Sequence, residues 1–257
     1  MIEFDNVRRS YGSKVAVEGL TLAVKPGELF ALLGPNGAGK TTTIKMLVGL
    51  LRPDAGSVRV CGYDVVAQTR QAAACMGYIS DEPFLYDKLS GRELLEFIAQ
   101  MRGLDRAATA ARIARECEHF DLAAFLDDLI ETYSHGMKQR LVFASALLHD
   151  PAVLVIDEPM VALDPRSVRL VKDLLLSRVA AGTTVFMSTH TIAIAEEIAH
   201  RIGIVDRGRL HFLGTLGELQ RELASPHTSL EHLFLELTDG ADGRPRSSPP
   251  SHTTMQS

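Results

Sequence analysis

The amino-acid sequence predicts an α/β protein with a mostly parallel central sheet. Three short, mostly apolar runs, at residues 153–156, 184–188 and 202–205, have the hydrophobic character of strands that are buried on both faces. Segments with apolar residues at helical spacing separate these runs, as between residues 168 and 179. Strands that alternate with helices in this way form parallel sheets covered by helices on both sides.

The overall composition excludes several classes of protein. The 257 residues carry 27 Lys and Arg against 32 Asp and Glu, a formal net charge of −5, and 46% of them are hydrophobic, so the chain is not disordered throughout. It lacks the run of about 18 apolar residues that a membrane-spanning helix needs. Its acidic first residues do not resemble a secretory signal, so we expect a cytoplasmic chain. An isoelectric point near 6.0 predicts no nucleic-acid partner, because such partners favour a basic surface.

The first thirty residues predict an antiparallel sheet. Residues 2–7 and 14–24 alternate apolar with polar positions, and a Pro-Gly pair ends the second run with a turn. A short apolar run at residues 29–33 leads into a glycine-rich loop, and apolar residues then recur at helical spacing from residue 44. The predicted order here is strand, loop, helix.

One helical block interrupts the alternation of strands and helices. Strand signals vanish between residues 84 and 146, and the simplest explanation is a helical subdomain of about residues 83–141 inserted into one α/β core. Residues 216–238 predict a C-terminal helical appendix. Residues 239–257 are mostly small, polar or charged, so we expect a disordered tail, because they offer too little apolar surface to offset chain entropy.

The strongest functional signal is the glycine-rich loop at residues 34–41, which reads Gly-Pro-Asn-Gly-Ala-Gly-Lys-Thr. It matches G-x-x-x-x-G-K-[ST], the phosphate loop of P-loop enzymes, and lies between a predicted strand and a predicted helix as that motif requires. The glycines let backbone N–H groups curl around a phosphate chain, and the helix adds its positive N-terminal end. Lys40 would reach the outer phosphates and Thr41 would bind Mg²⁺. The nucleotide-binding residues expected in this segment are Gly34, Pro35, Asn36, Gly37, Ala38, Gly39, Lys40, Thr41 and Thr42.

Two adjacent carboxylates complete the predicted site. Asp157 and Glu158 directly follow the apolar run at residues 153–156, at a strand end where ligands of open α/β sheets gather. Asp157 would hold Mg²⁺, and Glu158 would accept the proton of an attacking water. Adjacent acids at a strand end are otherwise the start of a solvated loop, but the phosphate loop in the same chain favours the catalytic interpretation.

Four further segments, at residues 11–17, 133–140, 162–165 and 188–190, occur in a fixed order with these two motifs. In this order the six segments make residues 1–237 resemble the nucleotide-binding subunits of ABC transporters. The resemblance implies a P-loop NTPase (RecA-like) core with an N-terminal antiparallel β subdomain and an inserted α-helical subdomain. It implies ATP and Mg²⁺ as cofactors, and an ATPase on the cytoplasmic face of the membrane that powers transport through a separate transmembrane permease. Residues 81–97, 133–140 and 229–237 are most similar to those of export-type members.

The resemblance assigns roles to residues outside the two motifs. Tyr11 would stack on the adenine ring, and Ala16 would lie beside the nucleotide. Asp164 would link the two sites of a dimer, and His190 would orient the γ-phosphate and the attacking water. The alternatives are an ordinary aromatic in a turn for Tyr11 and a purely structural histidine for His190.

Residues 133–140 resemble the segment that defines the family, which usually reads Leu-Ser-Gly-Gly-Gln. Ser134 and Gly136 are kept, whereas positions 135 and 137 depart from the pattern. In the family, two subunits face each other head to tail, and ATP lies between the phosphate loop of one and this segment of the other. The resemblance therefore implies a second nucleotide-binding subunit, expected as a homodimer with an isologous interface.

Asp81 stands where the family usually has a glutamine, after the predicted strand at residues 76–79. A carboxylate there would face Mg²⁺ and add negative charge near the phosphates, so we expect a tighter dependence on the metal. An ordinary loop acid is the alternative. The aromatic residues Phe84 and Tyr86 follow, in a region that receives a helix of the membrane subunit in the family; a small hydrophobic core is the alternative there.

Two other functions are alternatives to an ATPase that powers transport. Soluble relatives of this fold act on ribosomes or DNA ends, but they usually carry two such domains or a long coiled-coil insertion, and neither is visible in this sequence. A nonhydrolytic regulatory subunit is the second alternative. Glu158 and His190 argue against it, because a pure binding module needs neither a base nor a residue that orients water.

Overall fold

The computed structural model describes residues 1–82, 84–160 and 165–222, which form two β-sheets and the helices that pack on them. The strands are β1 (Ile2–Tyr11), β2 (Lys14–Val24), β3 (Leu29–Leu33), β4 (Ala55–Val60), β5 (Tyr63–Asp64), β6 (Met76–Ile79), β7 (Val153–Asp157), β8 (Thr184–Thr189), β9 (Arg201–Asp206) and β10 (Arg209–Gly214). The α-helices are α1 (Lys40–Leu47), α2 (Thr69–Ala74), α3 (Gly91–Met101), α4 (Arg106–Phe120), α5 (His135–Leu147), α6 (Pro165–Ala180), α7 (Ile192–Ile198) and α8 (Leu216–Glu222). In these ranges, no helix combines the length and the hydrophobicity needed to cross a bilayer.

The larger sheet has six strands in the order β10-β9-β3-β8-β7-β6. All neighbours are parallel except β10, which runs antiparallel to β9. Every residue of β3, β7 and β8 is buried, as expected for strands covered on both faces. The predicted α/β fold with a mostly parallel sheet is confirmed.

Successive residues of β3 face opposite hydrophobic cores. Leu29, Ala31 and Leu33 pack among the helices on one face of the sheet. Phe30 and Leu32 pack on the other face, against α1 and the smaller sheet. Because side chains alternate across a strand, a strand between two cores must be apolar at every position, which is why this run contains no polar residue.

The smaller sheet is antiparallel and has the order β2-β1-β4-β5. The antiparallel pairing predicted for the first thirty residues is confirmed. Strands β4 and β5 are absent from the sequence-based prediction, because β4 contributes only two buried apolar side chains, Val58 and Val60. These lie opposite Phe4 and Ile2 of β1, so pairing with β1 specifies β4 more strongly than its own sequence does.

Helices α3, α4 and α5 occupy the region where strand signals vanish from the sequence. Ser90 begins α3 through a capping box, in which side chain and backbone bond reciprocally. The buried Glu116 of α4 forms an ion pair with Arg178 of α6 at 3.2 Å. This pair connects α4 to the helix that follows β7. The limits 83–141 for an inserted subdomain stay a prediction; α5 itself continues to Leu147.

The carboxyl ends of β3, β7 and β8 meet at one edge of the larger sheet. The glycine-rich loop follows β3 there. Of the two predicted catalytic residues, Glu158 follows β7 and His190 follows β8. At the C-terminus, α8 falls within the predicted appendix, whereas the rest of that appendix and the tail at 239–257 lie outside the described residues.

Candidate functional site

The glycine-rich loop connects β3 to α1, and two of its glycines leave no room for a side chain. A Cβ atom on Gly34 would lie 2.4 Å from the carbonyl oxygen of Val205, and one on Gly39 would lie 2.4 Å from that of Ala16. Gly39 has a φ of 108° and precedes α1 without any side-chain cap on the helix. The first amides of α1 are therefore left to an external acceptor, as at a phosphate-binding helix N-terminus.

Lys40 is buried beneath this loop. Its ammonium group donates to the carbonyl oxygens of Gly34 at 2.8 Å and Pro35 at 3.3 Å. It also forms an ion pair with Oε1 of Glu158 at 3.3 Å. Three acceptors match the three N–H donors of the lysine, so its positive charge is held at the point where the loop, α1 and β7 meet.

Asp157 ends β7 and is almost wholly buried. Its Oδ1 accepts a short hydrogen bond from the Ser188 hydroxyl, whereas its Oδ2 is buried without a hydrogen-bond partner among the described residues. Burial raises the pKa of the Asp157 carboxyl above its ordinary value; the Ser188 and Thr41 side chains act to lower it, and the charges of Asp81 and Glu158 raise it further. An unsatisfied buried carboxylate oxygen beside a threonine is a donor set that Mg²⁺ accepts.

Glu158 occupies an unusual backbone conformation, with a φ of 50° in the left-handed region that non-glycine residues seldom adopt. This turn directs its side chain toward two partners. Oε1 pairs with Lys40, and Oε2 lies 2.9 Å from Nδ1 of His190. The carboxylate thus sits between a fixed positive charge and an imidazole, and about half of the His190 side chain is exposed.

Tyr11 and Ala16 lie on the neighbouring antiparallel sheet. The carbonyl of Ala16 abuts Gly39, so Ala16 lies beside the phosphate loop. Tyr11 is half exposed at the end of β1, and the guanidinium of Arg9 lies 5.2 Å from its ring centroid. Arg9 has no part in the sequence-based prediction. The sequence does place it two residues before Tyr11, and residues at that spacing on a strand share a face of the sheet.

Asp81 lies in the turn after β6 and is exposed. Its Oδ1 accepts a hydrogen bond from the amide of Glu82 at 2.9 Å. The charge of Asp81 raises the pKa of Asp157, which places the two carboxyls within electrostatic reach of each other.

Ser134 and Gly136 form a separate group. Ser134 is the N-cap of α5 and accepts from the amide of Met137 at 3.3 Å. A Cβ on Gly136 would meet nothing within 4 Å, so this helix start faces open space. Across the described ranges, no hydrogen bond or ion pair joins Ser134 to the group around Lys40. Asp164 lies outside the described residues.

The structure therefore gathers one compact constellation from three separate stretches of chain: Lys40 with Thr41, Asp157 with Glu158, and Ser188 with His190. Ser188 has no role in the sequence-based prediction. The signal that identifies it is the register of the sheet, which pairs it with Asp157.

Comparisons with known proteins match this arrangement to one family. Residues 17–161 match the family described as ABC transporter. The chain is 41% identical over 208 residues, 81% of its own length and 68% of the relative's, to the Nod factor export ATP-binding protein I of Paraburkholderia xenovorans. It is 38% identical over 219 residues, 85% of its length and 70% of the relative's, to the linearmycin resistance ATP-binding protein LnrL of Bacillus subtilis.

A solved structure of the ATP-binding subunit of an ABC transporter superposes with a TM-score of 0.87 at 32% identity, covering 92% of this chain and 99% of the other. The sequence match, the structural match and the phosphate-loop constellation agree. The chain therefore belongs to the ABC transporter family, as an ATP-binding subunit of the kind that hydrolyses ATP to power transport.

Proposed function

We propose that this chain powers export across a membrane by hydrolysing ATP at the constellation around Lys40, Asp157 and Glu158. The relatives described above are named for export or for resistance to a compound, which supports export as the direction. The observation that carries the proposal is the contact of one carboxylate, that of Glu158, with both Lys40 and His190. A base so placed is fixed beside the group that binds the phosphates.

The phosphates would lie in the glycine loop, against the free amides at the start of α1 and the charge of Lys40. Thr41 and Asp157 would hold Mg²⁺, since Oδ2 of Asp157 is buried and lacks a partner within the described residues. The metal, when bound, neutralises negative charge on the phosphates. Asp81, within electrostatic reach of Asp157, would add a further carboxylate to this group.

Glu158 would take the proton from the attacking water, and His190 would orient that water and the terminal phosphate. Lys40 contacts one oxygen of the Glu158 carboxylate and His190 contacts the other, which limits its rotation and favours one reactive geometry. Tyr11 would stack on the adenine ring, with Ala16 beside the nucleotide; the guanidinium over Tyr11 would then lie on the far face of that ring.

The second half of each nucleotide site would come from another copy of the chain. Ser134 and Gly136 stand at an open helix start that does not bond to the Lys40 group in the described part of this chain. A head-to-tail homodimer would place this helix start on the phosphates held by its partner, and Asp164 would link the two sites. Such an interface is isologous, so each subunit contributes one of each motif.

A separate transmembrane permease would dock on a group of exposed aromatic residues, two of which precede α3 while the third lies within it. Phe84, Tyr86 and Phe97 form a chain of edge-on ring contacts, with centroids 5.4 Å and 6.2 Å apart. All three are exposed, Phe84 by 83%, and clustered exposed aromatics are typical of binding surfaces. The subunit would then lie on the cytoplasmic face of the membrane, with residues 1–237 as one nucleotide-binding domain.

The Glu158→Gln variant of the full chain tests the hydrolytic role. We expect it to bind ATP as the wild type does, because the amide keeps the size of the side chain, and to lose hydrolysis by at least about a hundredfold, because the base is gone. Because this variant would bind ATP without hydrolysing it, we expect it to sediment as a dimer when ATP is present. Glu118→Gln, which makes the same change of charge at an exposed position of α4, serves as the control.

Two outcomes would reject parts of this proposal. Equal hydrolysis by Glu158→Gln and the wild type would remove Glu158 as the base. Tight ATP binding with no hydrolysis by the wild type, alone or with its permease, would favour the nonhydrolytic regulatory subunit instead.

A further inference from the structure

Ser188 lies on β8 at the point of closest approach to the two carboxylates. It is fully buried, and the parallel register of the sheet sets it directly beside Asp157 of β7. Paired residues of neighbouring strands project their side chains to the same face of a sheet. The hydroxyl of Ser188 therefore points to the same side as the carboxylate of Asp157, where the chain turns out of β7.

The hydroxyl of Ser188 accepts one hydrogen bond and donates another. The amide of Glu158 lies 3.1 Å from Oγ of Ser188, and an amide N–H only donates, so Ser188 accepts that bond. Its own proton is then free for Oδ1 of Asp157, with which it makes a short hydrogen bond. One hydroxyl thus donates to one acidic residue and accepts from the next.

The accepted bond stabilises the backbone turn at Glu158. That residue leaves the strand with a φ of 50°, a conformation rare for a residue with a side chain. The amide at this point is partly buried and so favours a protein partner, which Ser188 provides. The turn in turn aims the Glu158 carboxylate at Lys40 and His190.

The donated bond selects one oxygen of Asp157. Because Oδ1 is taken by Ser188, rotation of the carboxylate is restricted, and Oδ2 remains buried without a partner in the described part of the chain. Oδ2 is therefore the oxygen left to act on a cation or on a water held by one. Groups that orient a metal-binding carboxylate commonly affect metal affinity or activity by about 10–100-fold.

We propose that Ser188 is a positioning residue, whose single hydroxyl sets the orientation of both Asp157 and Glu158. The inference rests on the proposed function, since it concerns how the two carboxylates of that site are held. Ser188 itself touches neither substrate nor the reacting atoms in this assignment.

The test compares Ser188→Thr with Ser188→Val in the full chain. The two replacements have nearly the same shape, and only threonine keeps the hydroxyl, so any loss confined to valine belongs to the hydroxyl rather than to packing. Ser188→Ala, which adds no volume, is the third variant. Ser145→Ala removes a hydroxyl that bonds the carbonyl of Val142 within α5 at 2.8 Å, and it controls for the loss of an ordinary serine hydrogen bond.

We expect Ser188→Val and Ser188→Ala to lower kcat about 10–100-fold with little change in KM for ATP, and Ser188→Thr to retain most of the activity. A second readout does not depend on turnover. Binding of Mn²⁺ to the ADP-loaded chain, measured by electron paramagnetic resonance, should weaken about tenfold or more in the valine and alanine variants, while metal-free ADP binding is unchanged.

Equal kcat and equal Mn²⁺ affinity for the threonine and valine variants would overturn the inference. Glu158→Gln distinguishes a wrong role for Ser188 from a wrong assignment of the site. If Glu158→Gln abolishes hydrolysis while Ser188→Val and Ser188→Ala match the wild type, the site stands and only the role of Ser188 is wrong. If Glu158→Gln hydrolyses ATP like the wild type, the proposed site itself is wrong.

Discussion

His190 is bonded to Glu158 twice: Nδ1 of its ring lies 2.9 Å from Oε2 of the carboxylate, and its backbone N–H donates to the same oxygen at 3.3 Å. The two residues follow different strands, β7 and β8, which are paired in parallel. The sheet therefore fixes the separation of the two chain segments. The two contacts with Oε2 fix the orientation of the imidazole relative to the carboxylate. This geometry favours a role for His190 in orienting Glu158, in addition to the role toward a phosphate that we propose.

We expect His190→Ala to lower kcat for ATP hydrolysis by about a hundredfold, because the carboxylate loses one of its two orienting partners and the site loses a polar group beside the attacking water. Binding of ATP should change little, since Lys40 and the glycine loop are untouched. Steady-state ATPase assays and nucleotide titrations measure both quantities. His211→Ala, at an exposed position on β10, is the matched control; an unchanged kcat in His190→Ala would leave the histidine a structural role only.

Asp81→Gln should relax the dependence of hydrolysis on Mg²⁺. The aspartate adds negative charge close enough to raise the pKa of Asp157, so the site of the wild type should need the cation more strongly to offset charge near the phosphates. Hydrolysis is measured across a titration of Mg²⁺ at fixed ATP. Glu82→Gln removes the same charge from the next residue, which is also exposed. Identical titration curves for Asp81→Gln and the wild type would make Asp81 an ordinary loop acid.

Because His149 is partly buried, we expect the protein to lose stability in mild acid. Burial, together with the charge of Arg102, lowers the pKa of its imidazole to about 4, and its Nε2 lies 3.0 Å from the carbonyl oxygen of Met76. The unfolded chain takes up this proton near the ordinary pKa of about 6.5, whereas the folded chain resists it. The favourable contribution is therefore complete above about pH 6.5 and is lost as the pH falls through that value toward 4.

The free energy of unfolding, measured with urea between pH 7.5 and 4.5, tests this contribution. His149→Gln should show a shallower fall over that range than the wild type, because glutamine does not titrate. His211→Gln, which changes an exposed histidine, should keep the full slope. Parallel curves for His149→Gln and the wild type would show that protonation of His149 is not linked to folding.

The parts of the site that lie in one stretch of sequence were predictable, and those that depend on pairing between stretches were not. Strand β3 and the glycine loop follow each other without a break, so an apolar run and a short motif specify them together. The contact of Ser188 with Asp157 depends on the register of β7 and β8, which no local pattern encodes. Likewise, residues 55–60 taken alone have too few apolar positions to predict a strand. Strand β4 forms because it pairs with its neighbour β1.

Tyr86→Asp tests the docking surface for the permease. The Tyr86 ring is half exposed and contacts both Phe84 and Phe97 edge-on, so an aspartate there would place a charge in the middle of an aromatic contact. Losing a central aromatic anchor typically costs about 2 kcal/mol or more, roughly thirtyfold in affinity. We expect the permease to be lost on purification from native membranes in mild detergent, and transport with it, while the isolated chain keeps its basal ATPase activity and its melting temperature. Tyr63→Asp, at a partly exposed tyrosine of β5, should leave transport intact; a fall in ATPase activity or stability in Tyr86→Asp would instead identify these rings as a small hydrophobic core.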